Sequence, residues 1–121
     1  MARSVENVQG IDRELRRYPW LDMTIAEDTG HDLIVWGSLS ESYPFDVRIV
    51  FCGLQCVLAR RDWKTDTSQT VFRELTDREF NLKYSIEIGQ RTFELLAEGV
   101  STPMRFSAKS VRLEVHREPP S

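Results

Sequence analysis

The residues best equipped for chemistry in this chain are Cys52 and Cys56, four positions apart, together with His31 and His116. These are all of its cysteines and histidines. A structural zinc ion takes four such ligands, and the set supplies four, but the spacing follows no zinc motif. His31 lies in a turn-forming stretch and His116 lies near the C-terminus. A disulfide needs Cα atoms within about 7 Å. An extended chain would hold the two cysteines ~13 Å apart at ~3.3 Å per residue, so only a hairpin at Gly53-Leu54-Gln55 could join them. The alternation around them points to packing instead. Phe45, Val47, Ile49 and Phe51 occupy odd positions; Leu54, Cys56 and Leu58 occupy even ones. The slip at Cys52-Gly53 predicts a β-bulge or tight turn, with Gly53 as the residue that tolerates it. Free thiols acting as small apolar side chains are the expectation, with no metal and no cofactor.

Other catalytic material is sparse. A nucleophilic Ser or Cys works beside a base and an orienting acid, and the chain has no G-x-S-x-G stretch. Gly30, Gly37 and Gly53 stand alone, with no phosphate cradle followed by Lys and Ser or Thr. Glu74, Asp77 and Glu79 crowd one loop and read as solvated. The chain reads as a non-enzyme.

The elements that must position any site follow from hydrophobic period. Ile11, Leu15 and Tyr18 make one helical stripe, which Pro19 ends; the helix is expected over 4–18. From Leu21 the period changes to two. "LDMTIA", "LIVWGSL", "FDVRIVF", "TVFREL", "FNLKYSIEI", "RTFELLAE", "MRFSA" and "VRLEV" read as strands, with "EDTGHD", "SESYP", "KTDTSQ" and "GVSTP" between them. In "FDVRIVF", Phe45, Val47, Ile49 and Phe51 are assigned to one face and Asp46 and Arg48 to the other. Gly89-Gln90 fits a type II′ hairpin turn. The predicted class is mainly β, with α+β the alternative. It is an antiparallel β-sandwich or strongly curved sheet of about seven to eight strands with one N-terminal helix. Residues 1–121 form one domain, with a β-rich body over 21–117 and a frayed tail at 118–121.

Composition narrows the partners. The chain has 121 residues, 40% of them hydrophobic and 29% charged, and a formal net charge of −3. That balance argues against nucleic acid, which is held by clustered Lys and Arg. Arg13, Arg16 and Arg17, and also Arg60 and Arg61, are interleaved with Asp12, Glu14 and Asp62. No apolar run approaches the ~18–20 residues of a membrane span, and "MARSVENVQG" has no secretory apolar core. With two cysteines expected to stay reduced, a cytoplasmic protein is the expectation.

Two resemblances bear on function. Asp28-Thr29-Gly30, followed by "HD" and a strand, resembles the catalytic loop of aspartic proteases of retroviral type, homodimers that pair two such aspartates to share a proton. That family places buried apolar residues before the aspartate, where this chain has Ala26-Glu27. It also has a downstream Gly-Arg, where "EIGQR" has Gly89-Gln90. "YPFDVRIVFCGLQCVLARRDW", "FNLKYSIEIGQRTFELLAEGV" and "VRLEV" together resemble small bacterial β-rich domains, some classed as immunity proteins of polymorphic toxin systems. That resemblance covers about Leu33 to Val115. It implies a non-catalytic protein that binds a protein partner, a cognate toxin, and blocks it.

In the binding reading Trp63 is the candidate exposed anchor, set among Arg61 and Asp62 and joined by Tyr43, while Trp20 and Trp36 are assigned to the core. Tryptophan and tyrosine dominate interface anchors. A small-ligand carrier with an apolar pocket is the alternative, and the homodimeric protease built on Asp28-Thr29-Gly30 comes last.

Overall fold

A computed structural model of the chain describes residues 3–39, 45–75, 89–99 and 103–120. Among them are ten strands and one helix. These are β1 (Arg3–Val5), α1 (Val8–Leu15), β2 (Leu21–Asp28), β3 (Asp32–Ser38), β4 (Val47–Cys52) and β5 (Cys56–Leu58), then β6 (Asp62–Thr65), β7 (Phe72–Leu75), β8 (Arg91–Leu95), β9 (Met104–Ala108) and β10 (Ser110–Val115). Two antiparallel sheets result: six strands in the order β1-β10-β4-β3-β2-β6 and four in the order β5-β9-β8-β7. The mainly β, sandwich-like fold with an N-terminal helix matches the class read from the sequence. The strand expected over "FNLKYSIEI" and the residue Tyr43 lie outside the described residues.

Alternation decides which sheet face goes inward. Along β4, Val47, Ile49 and Phe51 are buried, as are Leu33 and Val35 on β3 and Val111, Leu113 and Val115 on β10. The four-stranded sheet answers with Phe72, Phe93, Leu95, Met104 and Phe106. Phe51 joins the layers: its ring stacks on Phe106 at 4.3 Å between centroids, with Phe93 at 5.9 Å and Phe72 at 6.4 Å.

The cysteine stretch marks where the chain changes sheet. β4 belongs to the six-stranded sheet and β5 to the four-stranded one, and Gly53 between them takes φ 66°. The expected shift of the inward set to Cys56 and Leu58 does not occur: Val57, paired with the buried Phe106, packs against the core, and Leu58 is 39% exposed, because the chain turns at Gly53 and joins the second sheet with its odd positions inward.

Several boundaries differ from expectation. The helix runs over Val8–Leu15 rather than 4–18, because the Asn7 side chain accepts the Gly10 N–H and caps it, as short polar side chains do at a helix start. Arg3–Val5 instead pairs with β10. Lys64 and Thr65, expected in a loop, belong to β6. Phe45 leaves the inward set and lies against Trp36, at 4.9 Å. Asp46, expected outward, is 2% exposed: its carboxylate accepts the Leu39 N–H at 2.7 Å, and its carbonyl accepts those of His116 and Arg117.

The tail at 118–120 is tied down rather than frayed at Glu118. Arg3 donates to both Glu14 and Glu118, and Arg17 reaches the same two carboxylates at 2.8 and 3.3 Å. This clamp links β1, α1 and the C-terminal segment. The hydrogen bond from Arg3 holds the Glu14 carboxyl below its ordinary value of 4.5, and the bond from Arg91 does the same for Glu74. Burial pushes Glu114 up, but bonds from Arg112 and His116 and the field of Arg48 outweigh it, so it too is lowered. Folded carboxylates with depressed values stabilise the protein above the unfolded value and lose that contribution as pH falls through the folded one. The urea midpoint should therefore hold between pH 7 and about 5 and fall progressively below about 4.5. A midpoint constant down to about pH 3 would contradict this assignment of ion pairs.

Candidate protein-binding surface

Each residue singled out in the sequence can now be placed. Cys52 and Cys56 are free and half-buried, on strands of different sheets. The Cys52 Sγ lies 3.3 Å from Arg112 Nη1, and burial raises the Cys56 thiol above its ordinary value. His31 is exposed at a hairpin tip, whereas His116 sits edge-on to Phe45 at 4.7 Å. The four are not gathered: among the described residues no group of three or more His, Cys, Asp or Glu could hold a metal. No helix among them is long and apolar enough to cross a membrane.

Asp28-Thr29-Gly30 closes the β2–β3 hairpin. The Asp28 carboxylate accepts the Gly30 N–H at 2.9 Å, Thr29 Oγ1 accepts the Asp32 N–H at 2.9 Å, and Gly30 takes φ 84°. Short polar side chains bonding backbone two or three residues on are what hold such a turn.

The tryptophans exchange roles. Trp63 is 7% exposed and paired across from Met23, its ring 6.4 Å from Phe106. It is core, and its candidacy as an exposed anchor is withdrawn. Its charged neighbours suggested a surface position, but Asp62-Trp63-Lys64-Thr65 alternates, with Asp62 and Lys64 out and Trp63 and Thr65 in. Arg61 and Asp62 are exposed; Asp62 accepts a bond from Thr24 Oγ1 at 2.6 Å. The exposed tryptophan is Trp20, at 40%. The same period would have found it, since Leu21 and Met23 go inward and Trp20 and Asp22 outward. Trp36, half-buried, lies tilted against Phe45 on the outer face of the six-stranded sheet.

Trp20 stands on a cross-linked base. Thr67 Oγ1 donates to the Tyr18 carbonyl at 2.5 Å and Arg16 Nη2 to the Ser68 carbonyl at 3.3 Å. These bonds join the end of α1 to the turn after β6. That turn is itself held by Asp66, which accepts from the Ser68 N–H, the Ser68 hydroxyl and Gln69 Nε2; the Ser68 bonds lower the Asp66 carboxyl. Tyr18 is buried and donates its hydroxyl to the Arg117 carbonyl at 2.7 Å, and burial raises its phenol above the ordinary value. A hollow of about 480 Å³ at Pro19, the residue before Trp20, is lined by Arg16, Arg17, Pro19, Thr67, Ser68 and Pro120. The Lys64 ammonium sits 5.6 Å from the Trp20 indole centre, within cation–π range. The result is an exposed indole with one cation against it, on a cross-linked stretch of backbone.

An open groove of about 630 Å³ also runs between α1 and β7, lined by Val8, Asp12, Arg13, Phe72, Arg73 and Glu74 among others. Asp12 there is occupied structurally, accepting the Val71 and Phe72 N–H groups at 2.7 and 3.0 Å. Comparison of the chain with protein-family models, with curated proteins and with solved structures gives no match.

Proposed function

We propose that this chain is a non-catalytic binding protein that docks a protein partner through Trp20, and that the partner is a toxin it neutralises, as the resemblance to immunity-protein domains implies. One observation carries the binding part: Trp20, a large aromatic side chain, is 40% exposed on a segment whose neighbouring backbone is cross-linked through Tyr18 and Ser68. Backbone that is already cross-linked loses less conformational freedom when the side chain it carries docks. Lys64 against it favours a partner that brings a carboxylate to the rim of an apolar contact. The aromatic stack of Phe51, Phe72, Phe93 and Phe106 occupies the space between the sheets in which a carrier would hold an apolar ligand.

A photo-reactive side chain in place of Lys64, beside Trp20, tests the docking surface in the cells that make the protein. A single cross-linked partner, lost when Trp20→Ala is added, is the expected result. A partner captured equally well without Trp20 would move the docking site elsewhere.

A further inference from the structure

The outer face of the six-stranded sheet carries a pattern of its own. One row across it, fixed by strand register, reads Arg112 on β10, Val50 on β4, Ile34 on β3 and Glu27 on β2. The middle of a six-stranded sheet in the order β1-β10-β4-β3-β2-β6 falls between β4 and β3. About that midline the row is its own complement: cation, apolar, apolar, anion. The next row places Arg48 on β4 against Trp36 on β3.

We propose that this face is a self-complementary interface on which a second copy of the chain docks, about a two-fold axis running along the strands between β3 and β4. Rotation about that axis exchanges β4 with β3 and β10 with β2. Arg112 of each copy then meets Glu27 of the other above the buried Val50, and Arg48 faces the Trp36–Phe45 pair. A two-fold interface requires this reciprocity, in which residue i meets j and j meets i.

Exposure agrees. Glu27 is exposed, and the Arg112 and Arg48 side chains are 38% and 29% exposed. Both arginines share one carboxylate, Glu114, at 2.9 and 2.8 Å, so the β4–β10 half keeps an unbalanced positive charge. Asp22, Glu27 and Asp62 outnumber Lys64 on the β2–β6 half of the face, which is negative. Six strands at ~4.8 Å by about six residues at ~3.3 Å give roughly 600 Å² in projection. Side-chain relief brings that toward the about 800 Å² per partner of a standard interface.

Sedimentation of the purified chain alone is the test, so it reads self-association whether or not a partner docks at Trp20. The wild type should be dimeric at about 100 μM and dissociate as salt is raised toward 1 M. Glu27→Arg alters an exposed hairpin residue and should keep the fold by circular dichroism while weakening the dimer at least about tenfold through like-charge contact with Arg112. Arg112→Glu should do the same. The double variant Glu27→Arg/Arg112→Glu restores opposite charges and should recover the dimer to within about threefold, and an equimolar mixture of the two single variants should form the heterodimer. A wild type that stays monomeric at about 100 μM, or single variants that dimerise as well as the wild type, would overturn the proposal. So would a mixture of the single variants that fails to associate.

Discussion

Phe51→Ala should lower the unfolding free energy by about 4 kcal/mol, in the upper part of the range for deleting a buried aromatic. Phe51 is fully buried on β4, and its ring touches Phe106 on β9, Phe93 on β8 and Phe72 on β7. It is therefore the side chain through which three strands of one sheet meet a strand of the other. Its neighbours sit on paired strands whose backbones cannot close over the cavity without breaking ladder bonds, so the void stays open and the lost contacts are not recovered. Phe51→Leu keeps most of the volume and should cost only about 1–2 kcal/mol. Urea denaturation of both variants checks the pair. A loss below about 1 kcal/mol for Phe51→Ala would mean that this cluster does not join the sheets.

The second large effect concerns Glu94, a carboxylate with no exposure at all on β8. Register puts Arg73 on β7 and Arg105 on β9 on either side of it, and both donate to it, at 2.6 and 3.1 Å. The asymmetry of burial sets the direction. The side chains of Arg73 and Arg105 are 54% and 30% exposed, so after Glu94→Ala they regain water, and the loss should be about 2–3 kcal/mol, under that of a stranded buried ion. Arg73→Met/Arg105→Met leaves the carboxylate buried without its charge partners and should cost more, about 3–5 kcal/mol. Equal losses, or the reverse order in urea titrations, would show that Glu94 reaches solvent when its arginines are gone.

The sheet was legible wherever the apolar residues of a strand alternate without interruption. Val47, Ile49 and Phe51 announce β4, and Leu33 and Val35 announce β3, because burying one face is what the pairing is for. The short edge strands were not legible. Arg3–Val5 and Cys56–Leu58 span three residues each, too few for a period to declare itself, and their pairing is decided by the strands they join. Asp46 was misplaced because its burial depends on accepting the Leu39 N–H and on partners that arrive 70 residues later, at His116 and Arg117. The binding surface was half legible. On the charges beside it, Trp63 reads as the exposed tryptophan and Trp20 as core, where alternation decides otherwise. Read by period, Trp63 goes inward and Trp20 outward, as the fold has them. The cation against Trp20 comes from β6, 44 positions on at Lys64, and only the fold brings the two together.

Calorimetric titration of the captured partner with wild type and Trp20→Ala tests the proposed function most directly. Saturation at a fixed stoichiometry, with binding weakened at least about 30-fold by Trp20→Ala, corresponds to the loss of roughly 2 kcal/mol from a true anchor. Trp63→Phe, a change inside the core, should leave the dissociation constant unchanged. Equal affinity for wild type and Trp20→Ala would contradict docking through Trp20, and heat that continues at substoichiometric protein, as turnover would give, would contradict a non-catalytic role.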